Sequence, residues 1–139
     1  MREILFRGKR LDNGEWVEGA FLNDRNCAFY ICPAVSDISY GDSGARRRIG
    51  CWYKVDPSTV GQYTGLNDKH GKRIFDGDIA KVLQGKDKDI AYVGFENGAF
   101  MLYPKTGNIY ERTLWEYWYN DWDVEVIGNI TDNQELLEK

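Results

Sequence analysis

The chain contains one histidine, His70, so its options for nucleophilic or general acid–base catalysis are few. A Ser-His-Asp or Cys-His mechanism requires a histidine within hydrogen-bond reach of the nucleophile. His70 lies in the polar segment Asp68-Lys69-His70-Gly71, which is typical of a solvated turn. The sequence also lacks the G-x-S-x-G, P-loop and G-x-G-x-x-G motifs. We therefore predict no catalytic residues and a protein that is not an enzyme.

Two groups of side chains are of types that bind metal ions. Asp76 and Asp78 flank Gly77, and two carboxylates so spaced can ligate Mg²⁺ or Ca²⁺. No further acidic ligand follows in a loop pattern, so we favour an Asp-Gly turn in which Asp78 bonds to local backbone amides. Cys27 and Cys32 lie five positions apart on one predicted strand, so their side chains point to opposite faces. We therefore predict no metal site and no cofactor.

The cysteines and the start of the chain also indicate a compartment. Cys27, Cys32 and Cys51 are odd in number, and none of them forms a C-x-x-C pair. The segment Met1–Arg7 carries charges where a secretion signal would have an apolar core. No stretch approaches the roughly 18 apolar residues of a membrane span. We expect a soluble, cytoplasmic protein with reduced thiols and no membrane partner.

Positive charge is sparse, which argues against a nucleic-acid partner. The net charge is −4, with +1 on residues 1–56 and −5 on residues 57–139. Arg46-Arg47-Arg48 could contact phosphate, but it is shorter than the clusters of about five to eight basic residues that indicate nucleic-acid binding. We favour a solvated loop for this run.

The strongest candidate for a partner-binding surface is an aromatic set. Trp115, Trp118, Tyr119 and Trp122 recur at i, i+3, i+4 and i+7, which places them on one face of a helix. That face either covers the core or binds a protein, including a second copy of the chain, since Trp and Tyr are enriched at interface hot spots. We expect it to pack between two lobes, with at least one tryptophan at a subunit contact. Base stacking is the weakest interpretation, because residues 110–125 carry five acidic side chains and a single basic one.

The elements that must position these residues are mostly strands. Aromatic side chains make up 14% of the 139 residues and there are fifteen glycines, a balance that favours strands and tight turns. Asn13-Gly14 and Asn97-Gly98 predict two hairpins closed by type I′ turns. The predicted register sets Leu11 opposite Trp16, Lys9 opposite Glu18 and Phe6 opposite Phe21 in the first hairpin. In the second it sets Phe95 opposite Phe100 and Val93 opposite Leu102.

The remaining pattern predicts a mainly β protein of two lobes. Strands are predicted at 27–32, 51–55, 59–64 and 124–130, and residues 74–82 are predicted as a turn that opens into a strand. A flexible loop is predicted at 36–50, a short helix within 111–120, and a helical turn at 132–138 capped by Thr131. Asp56-Pro57 ends an N-terminal antiparallel hairpin lobe, 1–56. Residues 57–139 then form a small SH3-like barrel with one or two short helices, unless the two lobes make one compact unit.

Four segments together resemble the YopX family of phage and prophage proteins. They are Arg2–Leu22, Val55–Val82, Val93–Leu102 and Val124–Leu137. The most specific combination is Thr59–Leu66, Ile74–Ile79 and Val126–Ile130. The resemblance implies a mainly β protein from a phage or prophage, and hence the cytoplasm of a bacterial host. It supplies no reaction and no catalytic residues.

Two functional hypotheses remain. The first is a phage-encoded, non-enzymatic protein-binding or self-associating module. The alternative is a nucleic-acid-binding accessory protein, which rests on analogy with other small barrels alone. Binding to DNA that weakens steeply with salt would separate them, because phosphate contacts release counterions.

Overall fold

A computed structural model of the chain describes residues 3–25, 28–33, 39–40, 47–48 and 52–138. These residues form antiparallel sheets, one short α-helix and two 3₁₀ turns, which confirms the mainly β fold class. The chain divides into two compact units, Glu3–Gln62 and Tyr63–Lys139. No helix among the described residues is long and apolar enough to cross a membrane.

The N-terminal unit is an antiparallel arrangement of short strands. They are β1 (Phe6–Lys9), β2 (Trp16–Asn23), β3 (Phe29–Cys32), β4 (Ser39–Tyr40), β5 (Arg47–Arg48) and β6 (Tyr53–Val55), followed by a 3₁₀ turn at Pro57–Thr59. Strands β6, β3, β2 and β1 lie side by side in that order, and Ile31 and Val55 are fully buried. Strands β4 and β5 pair with each other, so the segment predicted as a flexible loop contains a two-stranded ladder. The rest of that segment lies outside the described residues.

The register predicted for the first hairpin is wrong by two residues. Lys9 lies opposite Trp16, and Phe6 lies opposite Gly19. A two-residue shift keeps every side chain on its predicted face. The rings of Phe6 and Phe21 therefore still meet, at 5.1 Å between centroids.

The shift arises because the turn of this hairpin is longer than two residues. The amide of Arg10 donates to the carbonyl of Glu15, and the amide of Gly14 donates to the carbonyl of Arg10. Asn13 turns its side-chain oxygen onto the Glu15 amide at 2.9 Å, and only Gly14 takes a positive φ, +72°. The turn is therefore not type I′, which needs positive φ at both central residues.

The C-terminal unit is built on a five-stranded antiparallel sheet. Its elements are β7 (Gly61–Asn67, which begins in the N-terminal unit), β8 (Arg73–Phe75), β9 (Asp78–Gln84), β10 (Asp87–Glu96), β11 (Ala99–Pro104), β12 (Arg112–Thr113), α1 (Leu114–Tyr119), β13 (Asp123–Asn129) and a 3₁₀ turn at Gln134–Leu136. The sheet order is β12-β11-β10-β9-β13, and β7 pairs with β8. Closure of this sheet into an SH3-like barrel stays a prediction.

The predicted register of the second hairpin is confirmed. Phe95 lies opposite Phe100, and Val93 lies opposite Leu102. Asn97 and Gly98 have φ values of +52° and +81°, as a type I′ turn requires. The hairpin therefore presents one apolar face, on which Val93 and Leu102 are buried.

The core of this unit lies between that face and α1. Its fully buried members include Ile74, Ala80, Val82, Ala91, Val93, Leu102, Leu114 and Tyr117. Ala80 and Val82 alternate along β9, and Ala91 and Val93 along β10, so each pair lies on one face of its strand. Leu114 and Tyr117 are three positions apart, so both project from the same side of α1.

The C-terminal helical turn differs from its prediction. It spans Gln134–Leu136, and Thr131 does not cap it. The side-chain oxygen of Asn129 accepts the amides of Thr131 and Asp132 at 3.0 and 2.8 Å. This Asx-type turn holds the chain out of a helical conformation at the position where the cap was expected.

Candidate functional site

Helix α1 is fixed at its start by a threonine cap. The hydroxyl oxygen of Thr113 accepts the amide of Glu116 at 3.2 Å, which satisfies one of the unpaired amides of the first turn. The Glu116 carboxylate lies 3.3 Å from the guanidinium of Arg112. Both contacts hold the helix against the edge strand β12.

The end of α1 is a Schellman motif. The amide of Trp122 donates to the carbonyl of Tyr117, and the amide of Asp121 donates to the carbonyl of Trp118. Asp121 takes the left-handed conformation, with φ +56°, at the position where glycine is usual. The rings of Trp122 and Tyr117 then meet edge to face at 5.0 Å. Helix α1 therefore has only six residues.

This short length breaks the predicted aromatic stripe. Trp115, Trp118 and Tyr119 are 55%, 57% and 67% exposed, so they do not cover the core. Trp122 has left the helix, and its ring packs partly against the core beside Tyr117. The interpretation of the stripe as a core-facing surface is therefore wrong for its three helical members. The i, i+3 pair Leu114 and Tyr117 was the sequence signal for the true core face.

The three exposed rings form a continuous surface with a cleft in the same unit. Trp115 and Tyr119 stack at 5.0 Å with an angle of 20° between their planes. Tyr119 and Trp118 line the cleft, which has a volume of about 600 Å³ and lies among α1, the end of β7 and the start of β13. Its remaining lining residues are Leu66, Asn67, Asp68, Lys69, Ile74, Leu114, Asp121, Trp122, Asp123 and Val124.

The cleft combines an apolar floor with an acidic rim. Ile74, Leu114 and Val124 are buried and form the floor. Asp121 and Asp123 are exposed, and neither forms an ion pair within the described part of the chain. Aromatic rings, apolar surface and unpaired carboxylates therefore meet in one place.

The other charges of the cleft are already engaged. Asp68 is 7% exposed, and its carboxylate accepts the amides of His70, Lys72 and Val126 at 2.9 Å each. Desolvation raises the pKa of Asp68, but the hydrogen bonds from these three amides outweigh it and hold the pKa below its ordinary value. The ammonium of Lys69 lies 3.7 Å from the carboxylate of Glu125. Asp68 therefore shapes the cleft, and Lys69 adds little net positive charge to it.

The residues considered for catalysis and metal binding lie in or beside turns. The side chain of His70 is 65% exposed in a turn, with Nε2 3.5 Å from a carboxylate oxygen of Glu125. Asp78 accepts the amide of Phe75 at 2.8 Å, and Gly77 has φ +91°, as the predicted Asp-Gly turn requires. No group of three or more His, Cys, Asp or Glu side chains that could hold a metal ion occurs among the described residues.

The remaining candidates lie partly outside the described residues. Cys32 is buried, and its thiol lies 3.5 Å from the carbonyl of Pro33. Cys27, Arg46 and Cys51 are not among the described residues, and Arg47 and Arg48 form strand β5.

Comparison with known proteins identifies the family. A family model with the description "YopX protein" matches residues 5–138, nearly the whole chain. The chain belongs to the YopX family. No curated protein matches this YopX family member. Its fold is similar to the crystal structure of protein EF1440 from Enterococcus faecalis, with a TM-score of 0.65 and 25% sequence identity, covering 99% of this chain and 100% of that one.

Proposed function

We propose that this YopX family member is a non-enzymatic, protein-binding module encoded by a phage or prophage. The observation that carries the proposal is the exposure of Trp115, Trp118 and Tyr119 on one short helix beside an apolar cleft. Trp and Tyr are the residues that most often dominate the binding energy of protein interfaces. Three large aromatic rings are exposed together on a helix of six residues. Clustered exposed apolar side chains of this kind mark interaction sites on soluble proteins.

The geometry around these rings supports binding rather than folding as their role. The fold of α1 rests on Leu114, Tyr117 and the two helix caps, none of which involves the exposed rings. The backbone of α1 is already fixed at both ends, so α1 would lose little conformational entropy when a partner binds. The rings are therefore available for a partner without cost to the core.

The origin and compartment rest on the resemblance and on the cysteines. Membership of the YopX family supports a phage or prophage source, and with it the cytoplasm of a bacterial host as the place of action. The odd number of cysteines and the buried thiol of Cys32 support a reducing compartment. The partner is then a protein of the host or the phage.

The test is a capture experiment with a matched control. The immobilised protein is exposed to lysate of its bacterial host, with Trp115→Ser/Tyr119→Ser as the test variant and Phe95→Ser as the control. Phe95 is 57% exposed on the hairpin tip, so its loss removes a similar ring from another surface. We expect a retained protein that the test variant loses and the control keeps, with all three proteins folded. Equal retention by all three would contradict the proposal.

A further inference from the structure

We infer that the cleft beside α1 receives an arginine side chain of the partner protein, with an apolar residue of the same segment on the cleft floor. This inference rests on the proposed function and adds the chemistry of the ligand. Its basis is the meeting of two open aromatic rings, two unpaired carboxylates and a buried apolar floor within about 600 Å³.

The rings supply one half of an arginine site. Trp118 and Tyr119 line the cleft and are both more than half exposed. A guanidinium stacks on such faces through cation–π attraction, and indole gives the strongest attraction. Trp115 stacks on Tyr119 and so restricts the movement of that ring. The rings therefore form a fixed surface for a flat cation.

The carboxylates supply the other half. Asp121 and Asp123 lie on the cleft rim, where Lys69 is the one basic side chain and is paired with Glu125. The lining residues carry three aspartates and one lysine, so the cleft repels anions and attracts cations. A phosphate backbone is a poor fit for this rim, whereas a basic side chain is complementary to it.

The chain itself places a guanidinium in the same kind of setting. Arg112 lies 5.8 Å from the centre of the Trp122 ring and 3.3 Å from the carboxylate of Glu116. Trp122 is thereby partly covered, whereas no described arginine or lysine is recorded over the Trp118 and Tyr119 rings, which line the cleft. Arginine fits better than lysine because its planar guanidinium can stack and bond to a carboxylate at the same time.

The apolar floor specifies the residue beside the arginine. Ile74, Leu114 and Val124 form this floor, and the half-buried Leu66 also lines the cleft. An arginine at the rim would place a neighbouring aliphatic side chain of its own segment toward this floor. We therefore assign the ligand as a protein segment in which arginine adjoins leucine or a similar residue.

The experiment titrates the folded protein with two blocked pentapeptides, followed by tryptophan fluorescence and calorimetry. One peptide has arginine between two leucines, and the other has neutral citrulline at that position. We expect the citrulline peptide to bind about tenfold more weakly, because it lacks the charge but keeps the shape.

The matching protein variants remove the acidic rim. We expect Asp121→Asn/Asp123→Asn to weaken binding of the arginine peptide about fivefold. The helix end should stay intact, because asparagine at position 121 tolerates the left-handed conformation. Glu135→Gln/Glu138→Gln removes the same charge outside the cleft and should leave binding unchanged. Melting temperatures close to the wild type show that each variant is folded.

The outcomes separate this inference from the proposed function. Equal binding of the two peptides, or no binding of either to the wild type, overturns the inference. So does preferential binding of a single-stranded oligonucleotide, or a dimer that Trp118→Leu dissociates. If the two peptides bind equally or not at all, the proposed function is still supported as long as capture of a host protein requires the rings of α1. The proposed function is contradicted only if that capture does not require the rings.

Discussion

Asp68 and Asp89 show how single carboxylates shape the molecule through hydrogen bonds to the backbone. Asp68 joins the turn after β7 to β13 through three amides. Asp89 accepts the amide and hydroxyl of Thr106 and the amide of Asn108, and so orders the loop after β11. Both are buried. A buried carboxylate fully bonded to amides is costly to replace, because each amide would lose its acceptor.

Stability should fall in acid partly through Asp68. Burial raises the pKa of Asp68, but the hydrogen bonds from the three amides lower it by more. The pKa in the folded protein therefore lies below the ordinary value near 4. The contribution of Asp68 is therefore fully present above about pH 4 and is lost as the pH falls through the folded pKa. We expect Asp68→Asn to lose about 1–3 kcal/mol of unfolding free energy at pH 7 and a smaller amount at pH 3.

Urea unfolding at both pH values measures this difference. Glu135→Gln is the control, since Glu135 is exposed and should change the unfolding free energy little at either pH. An equal loss for Asp68→Asn at pH 7 and pH 3 would contradict the role of its charge.

The sequence could reveal local partners of such carboxylates but not distant ones. The bond from Asp78 to the nearby backbone was predicted, because its partner amide, Phe75, lies three positions away. The bond from Asp68 to Val126 spans 58 positions. No periodicity or turn signal in the sequence predicts the hydrogen bond between Asp68 and Val126, so the sequence placed Asp68 only in a turn.

Among the elements, α1 shows why the four aromatic residues do not lie on one helix face as predicted. A stripe at i, i+3, i+4 and i+7 requires an unbroken helix from Trp115 to Trp122. The helix ends at Tyr119, and the residue at its left-handed position is Asp121 rather than the usual glycine. The predicted helix already ended within 111–120, so only the i+7 spacing assigned Trp122 to the same helix face. The same departure leaves three rings exposed and puts the fourth against the core.

Replacement of Asp121 by glycine should stabilise the helix end. A non-glycine residue in the left-handed region is strained, and glycine removes the strain at some cost in chain entropy. We expect Asp121→Gly to raise the unfolding free energy by about 0.5 kcal/mol and Asp121→Val to lower it by about 1 kcal/mol or more.

The matched control is Asp123→Gly, measured by the same denaturant titration. Asp123 begins strand β13, where glycine should lower the unfolding free energy by up to about 1 kcal/mol. Stabilisation by both glycine variants would show that backbone strain at Asp121 is not the cause.

The two Asn-Gly turns make a second comparison between elements. The register around Asn97-Gly98 was predicted correctly because Asn-Gly favours the two positive φ values of a type I′ turn, which both residues adopt. The turn at Asn13-Gly14 escaped this rule, since the Asn13 side chain bonds to the Glu15 amide and lengthens the loop. A hydrogen bond from the asparagine side chain to a loop amide competes with the two-residue turn. The Asn-Gly pair is compatible with both conformations, so it does not predict which of them forms.

Gly98→Val should destabilise the second hairpin through its backbone alone. A side chain at Gly98 would meet no atom within 4 Å, so crowding is not an obstacle, but φ is +81°. We expect a loss of about 1 kcal/mol or more for valine and a smaller loss for asparagine, which tolerates this conformation. Thermal unfolding of the two variants measures the difference, and equal losses would contradict a type I′ turn.

At the scale of the whole molecule, the fold class followed from composition and local pairing. Aromatic residues and glycine-rich turns predicted strands, and the family match extends over residues 5–138. The cleft did not follow, because it brings the end of β7 together with α1 and β13, which lie much further along the chain. The sequence supplied its aromatic side chains but neither its apolar floor nor the free carboxylates on its rim.

The three tryptophans of the aromatic set should respond differently to replacement by serine. Trp122 packs against Tyr117 and the core, so Trp122→Ser should lower the unfolding free energy by about 2 kcal/mol without changing the mass in solution. Trp115 and Trp118 are more than half exposed, so their replacement should change it by no more than about 0.5 kcal/mol. Thermal unfolding and light scattering measure both quantities. A large stability loss in Trp115→Ser or Trp118→Ser at constant mass would instead assign those rings to the fold and remove the basis for a binding surface on α1.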